Sequence, residues 1–163
     1  MKDIKFSTVF PSYHPRKGEP THFVEKIWTA IDESQRRVFT EAYFNDELDA
    51  LSESYFSKDW APKRTTIRAG HRWKKGDFFV PKIWTGIPYR SKPIAICEPL
   101  KVLDVEDFTI SMNGIYWLND DILTLKELEH IALVDGFDEV DDFELWFNVK
   151  KGQTFDGQRI RFA

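Results

Sequence analysis

KRTTIRAGHRWKKGD, residues 63–77, opens the part of the chain that is richest in strand-forming and cationic residues. In its TTIR segment side chains alternate across a strand, so Thr66 and Arg68 share one face while Thr65 and Ile67 share the other. With Ile67 directed into a core, Thr66 and Arg68 point away from it. Lys63 follows Pro62 at the strand entrance, so a lysine, a hydroxyl and a guanidinium converge within one turn and one strand. Such a group suits a phosphate or a carbonyl, which it can hold by charge-assisted hydrogen bonds. A desolvated lysine there can also act as a base.

Strand signals continue downstream. FFVPKIW (78–84), PIAICEPLKVLDV (93–105) and FTISM (108–112) are rich in β-branched and aromatic residues. Asn113-Gly114 between FTISM and IYWL predicts a two-residue hairpin turn. Several short strands in succession predict a small closed barrel. Thr124 with Glu127 three residues later forms a capping-box pattern that opens a helix over TLKELEHIALV, which Gly136 closes. A short acidic helix is expected over 138–147, and a turn at Asp156-Gly157 leads into a final strand carrying Ile160 and Phe162. Upstream, IKFSTV (4–9) alternates as a half-buried strand does. Phe23, Val24, Ile27, Trp28 and Ile31 recur at helical spacing over 20–31, with Pro20 suited to an early helical position. A second helix is expected over 35–55, with Val38, Phe39, Ala42, Tyr43, Leu48 and Leu51 on one face and a break available at Asn45-Asp46. The resulting class is α+β: a single domain over 1–163, with an N-terminal strand and helices (1–57) before a barrel core and late helices (58–163).

Charge is divided along this order. Residues 58–92 hold ten Lys/Arg against Asp59 and Asp77, while the whole chain carries −4 and has 42% apolar residues. Residues 98–148 hold fourteen acids against Lys101 and Lys126. An overall acidic protein does not coat nucleic acid indiscriminately, so anion binding must be local to the basic stretch. Lys63, Arg68, Arg72, Lys74 and Arg90 are the candidate contacts to phosphate or base, and Trp84 and Tyr89 offer faces for stacking. Each tryptophan, taken singly, is more often core, and the acids are mostly a solvated face. Asp135 differs, since the glycine after it places its carboxylate at a helix edge.

Several classes are excluded or disfavoured. One cysteine, Cys97, forms neither an internal disulfide nor a Cys-pair zinc site. His14, His22, His71 and His130 lack metal-site spacing, so no metal is expected. Neither a phosphate loop nor a dinucleotide fingerprint occurs, and no cofactor is expected. No run approaches the roughly 20 apolar residues of a membrane span, and MKDIKFSTVF lacks a signal-peptide stretch, which predicts a cytoplasmic protein. The oligomeric state stays open.

The K-x-x-T-I-R element at 63–68, R-W-K-x-G-D at 72–77 and a late helix ending near D-G-F at 135–137, in that order, resemble the ASCH (activating signal cointegrator homology) family, whose fold is a PUA-like β-barrel. FPSYHPRKGEPTHFVEKIW (10–28) is similar to the N-terminus of ASCH-like proteins of bacteria and their phages. The resemblance implies an RNA- or nucleoside-related role with the ligand in a cleft beside the barrel. It also covers small acetylcytidine amidohydrolases that use a lysine as proton acceptor, a threonine as nucleophile and a glutamate as proton donor. Carried over, these fall on Lys63, Thr66 and Asp135, the last being one methylene shorter than glutamate. Three readings follow: a binding module for RNA or a modified nucleotide, an amidohydrolase acting on an acylated nucleoside, and a protein-interaction domain whose acidic helices meet a partner.

Overall fold

The computed structural model describes residues 1–36 and 46–163. Nine strands and five helices occur among them: β1 (Lys2–Lys5), α1 (Phe23–Ala30), α2 (Glu33–Arg36), α3 (Asp46–Ser57), β2 (Thr65–Ala69), β3 (Phe78–Trp84), β4 (Pro93–Ala95), β5 (Leu100–Lys101), β6 (Asp104–Ile110), β7 (Tyr116–Leu118), β8 (Asp121–Ile122), α4 (Leu125–Val134), α5 (Val140–Trp146) and β9 (Phe155–Arg161). The class is α+β, as expected.

The strands form two sheets. In the first, β3 is central, with β1 parallel on one side and β4 and β5 antiparallel on the other. The second runs β2-β9-β6-β7-β8, antiparallel throughout. The expected closed barrel is not formed by these pairings. The chain passes between sheets at 102–104, where single backbone bonds such as Leu103 N–H to Arg161 O (2.8 Å) replace a ladder.

Two apolar clusters hold the sheets in place. Ile4, Ile27, Trp28, Phe79, Ile83 and Phe162 pack α1 against the first sheet, and Ile67, Phe108, Leu128, Ile131 and Phe143 pack α4 and α5 against the second. Fully burying one such side chain contributes about 1.5–3 kcal/mol before the entropy of ordering it. Strand β3 shows how this positions a site: Phe79, Pro81 and Ile83 face inward, which turns Trp84 and Lys82 outward on the period-two rule.

Local chemistry explains where the boundaries differ from expectation. The first strand is β1 and not 4–9, because its parallel ladder with Phe79–Lys82 covers residues 2–5 and closes with Phe6 N–H on Lys82 O (2.8 Å). Pro20 is bridged to Val9 outside the helix, and α1 starts after His22. Of the helix expected over 35–55, α3 is observed; Val38, Phe39, Ala42 and Tyr43 lie outside the described residues, and Leu51 packs on the first cluster. The Asn113-Gly114 hairpin has a three-residue loop, with Gly114 N–H on Ser111 O (2.9 Å) and Gly114 in the left-handed region (φ 74°). That is a type I turn followed by a glycine bulge. Asp156-Gly157 is not a turn. Both lie within β9, and the chain reverses earlier, where Gln153 N–H meets Lys150 O at 2.9 Å. A Cβ built on Gly157 would come 2.2 Å from Arg68 O, so the glycine serves strand approach. No described helix is long and apolar enough to cross a membrane.

Candidate active site and ligand cleft

Helix α4 delivers one side of the site. Its capping box is complete, Glu127 N–H donating to Thr124 Oγ1 (3.2 Å) and Thr124 N–H to Glu127 Oε2 (2.7 Å). Its other end is a Schellman turn: Phe137 N–H donates to Ala132 O (2.9 Å) and Gly136 N–H to Leu133 O (3.0 Å), with Gly136 at φ 98°. Asp135 is thereby the C-cap, buried beside the entrance to β2. That entrance is tied on both sides, since Lys63 N–H donates to Lys26 O of α1 (2.9 Å) and Arg64 N–H to Val134 O of α4 (2.8 Å).

The lysine so held is sealed. Lys63 is 1% exposed, its Nζ donates to the backbone oxygen of Asp135, and it lies 3.6 Å from Asp135 Oδ1. It sits 4.6 Å from the Phe23 ring centroid. Thr65 Oγ1 donates to the same carboxylate oxygen (3.1 Å), whereas Thr66, also buried, borders the hollow beside it. Burial pushes the Lys63 ammonium down from 10.5 to about 8, against the opposing pull of Asp135. Burial likewise raises the Asp135 carboxyl above its ordinary value, against the charge of Lys63. Arg68 is lowered to about 10, again chiefly by burial, and stays charged at neutral pH. Its Nη2 donates to Lys5 O (2.9 Å), and its buried Nε has no hydrogen-bond partner among the described residues.

Two adjoining hollows meet at these groups. The inner one, about 100 Å³, is bordered by Lys63, Thr66, Arg68, Asp135, Phe23 and Trp146. The outer one, about 440 Å³, is bordered by Arg68, Arg72, Trp84, Pro88 and Tyr89. Lys5, Phe6, Ser7 and Arg68 border both. Trp84 and Tyr89 lie with ring centroids 5.3 Å apart, and Lys5 Nζ stands 5.4 Å over the Trp84 ring. Tyr89, which has φ 64°, is 89% exposed, so its face is free for a ligand.

The expected site residues therefore divide. Lys63, Thr66, Asp135, Arg68, Arg72, Trp84 and Tyr89 come together around the joined hollows. Lys74 and Arg90 border neither. Lys74 is exposed in the turn closed by its own N–H on Asp77 Oδ2 (3.1 Å), and Arg90 is exposed in the turn where its N–H meets Ile87 O (3.1 Å). Trp73 is core, and His71 lies outside both hollows, between Asp156 (2.9 Å) and Asp107 (3.2 Å). Lys5, Phe6, Ser7, Phe23 and Trp146 also border the hollows, and sequence spacing did not reveal them. Their signal was weak: a lone lysine in the first strand, a phenylalanine and a serine just after it, and single aromatics of two helices. Among the described residues no cluster of His, Cys, Asp and Glu has the arrangement of a metal site.

No family model, curated protein or solved structure matches this chain.

Proposed function

We propose that this protein binds RNA or a modified nucleotide in the outer cleft, with the substituted end of one base directed into the inner hollow. The observation that carries this reading is the continuity of the two hollows through Lys5, Phe6, Ser7 and Arg68. Cations (Lys5, Arg68, Arg72) and stackable rings (Trp84, Tyr89) border the wide part, which is the combination that holds a phosphate and a base together. The ASCH resemblance supports the same assignment, and with it a PUA-like arrangement in which the two sheets act as halves of an open barrel.

A specific observation favours a second, compatible reading, an amidohydrolase acting on an acylated nucleoside. Lys63, Thr66 and Asp135 border one small hollow, with the lysine lowered toward neutrality and the carboxyl raised. In that scheme Lys63 Nζ takes the Thr66 hydroxyl proton as the threonine oxygen attacks the acyl carbon. The bond to nitrogen breaks, Asp135 protonates the departing amine, and water then releases the acyl group from the threonine.

The test uses the intact protein with single-stranded RNA and a panel of acylated and unmodified nucleosides. Binding is expected to weaken with salt, and Arg72→Ala is expected to lower the log–log slope by about 0.7. Tyr89→Ala is expected to cost about 1–3 kcal/mol of affinity. If neither RNA nor any nucleoside binds at low salt, the cleft reading fails and the acidic helices become the better candidates for a partner. Product analysis by mass spectrometry separates the second reading: Thr66→Ala must abolish turnover and leave binding in place, and turnover that survives the change rules the scheme out.

A further inference from the structure

A second buried ammonium stands behind Lys63. Lys26, on α1, is 3% exposed, and its side chain reaches the same reversal of the chain that Lys63 reaches. Lys26 Nζ donates to Gly136 O (2.8 Å) and to Asp138 Oδ1 (2.9 Å), while Lys63 Nζ donates to the oxygen one residue earlier, that of Asp135. Two ammonium groups thus sit on consecutive carbonyls. The main chain repeats the tie, since Lys63 N–H donates to Lys26 O (2.9 Å). Lysines are seldom fully buried without a partner, and two cations withdrawn from water oppose one another. Their neutralisation is uneven. Lys63 shares its sealed site with the Asp135 carboxylate (3.6 Å), whereas the carboxylate on Lys26 belongs to Asp138, whose side chain is 67% exposed. A helix end attracts cations, but an exposed side chain suffices for that.

We propose that Lys26 is a positioning residue for Lys63, an inference that rests on the amidohydrolase reading: it pins the turn that presents Asp135, and its charge favours the uncharged Lys63 that takes the threonine proton. Lys26 borders neither of the joined hollows, so it acts through the turn and through its field. The electrostatics agree in sign. Lys63 is lowered to about 8 chiefly by burial, Asp135 pulls it back up, and the charges of Arg68 and Lys26 push it further down. Asp138 is the outer control on this arrangement, because its carboxylate offsets the Lys26 charge from the solvent side. Removing the cation and removing its partner therefore change the field at Lys63 in opposite directions.

The experiment follows the lysine side chains of the intact protein by NMR across pH, in the unaltered chain, in Lys26→Met and in Asp138→Asn. The Lys63 midpoint is expected to rise in Lys26→Met, which takes a cation away, and to fall in Asp138→Asn, which leaves that cation unbalanced. A merely structural lysine would not produce these opposite shifts. Turnover of an acylated nucleoside, read in parallel, is expected to shift its pH profile with the midpoint, so that at pH 7 each half-unit of fall in Asp138→Asn gives about threefold more rate. A Lys63 midpoint that stays or falls in folded Lys26→Met overturns the proposal. Asp138 lies at the surface, so if Lys26→Met does not fold, a midpoint that fails to fall in Asp138→Asn overturns it instead. Midpoints that move as stated without any turnover in the unaltered chain would count against the amidohydrolase reading alone, since the setting of Lys63 is read from the midpoints.

Discussion

Lys63 Nζ lies 3.6 Å from Asp135 Oδ1, and both side chains are almost wholly withdrawn from solvent. The two residues are 72 positions apart in the chain, so the pair forms only when β2 has docked on α4.

Breaking that pair from one side strands a charge. Lys63→Met leaves the Asp135 carboxylate with the Thr65 hydroxyl as its side-chain hydrogen-bond donor and only the charges of Arg68 and Arg159 to offset it, and the expected loss is about 3–5 kcal/mol of unfolding free energy. Lys63→Met combined with Asp135→Leu removes both charges and is expected to recover most of it. Urea unfolding of the two single variants and the double variant measures the coupling; a loss in the double variant equal to the sum of the two single losses would show that the charges do not interact.

The depressed lysine gives stability a distinctive pH dependence. Between the folded value of about 8 and the ordinary 10.5, the unfolded chain keeps the Lys63 proton and the folded chain has released it. Stability contributed by this group therefore rises with pH across that window, and the burial penalty is complete below it. NMR titration of the lysine side chains is expected to show Lys63 near 8, and Lys63→Met is expected to erase the rise.

Gly136 is predicted to be intolerant of a side chain for two reasons. It holds φ 98°, and a Cβ there would lie 2.9 Å from Lys63 Cδ and 3.0 Å from the Phe23 ring. Gly136→Ala is expected to cost about 1–3 kcal/mol with an unchanged denaturant slope, and to shift the Lys63 and Phe23 resonances. Gly18→Ala, also at positive φ but with open space around it, is the control for backbone strain without the clash.

His71 bridges two strands of the second sheet from outside. Its hydrogen bond to Asp156 is the main reason that its pKa is raised above 6.5, with Asp107 adding to the effect. The clamp is present in full below pH 6.5 and is lost as pH rises through the folded value. Asp156→Asn is expected to lower the His71 midpoint measured by NMR, and an unmoved midpoint would mean that the contact is absent in solution.

Much of this site was legible in the sequence where the rule is local. Alternation in TTIR and the proline before Lys63 put Lys63, Thr66 and Arg68 together, and the glycine after Asp135 marked a helix end. The capping box at Thr124 was legible for the same reason, because both of its hydrogen bonds close within four residues. Lys5 and Phe23 were not, since they reach the site through the parallel pairing of β1 with β3 and the packing of α1. Lys74 and Arg90 were misplaced because charge density along a chain does not say which way a turn points its side chains. At Asp156-Gly157 the residue types suited a turn, but contact with Arg68 requires the glycine in mid-strand.

Helix α4 works as a ruler clamped at both ends. Its start is locked by Thr124 and Glu127, its stop by the reversal at Gly136, and the carboxylate of Asp135 is read off at the last mark. Adding or deleting one residue between those clamps would swing that carboxylate about 100° around the axis and about 1.5 Å along it, away from Lys63. Substitutions along the exposed flank of α4 leave this spacing intact, whereas a change of length by a single residue does not.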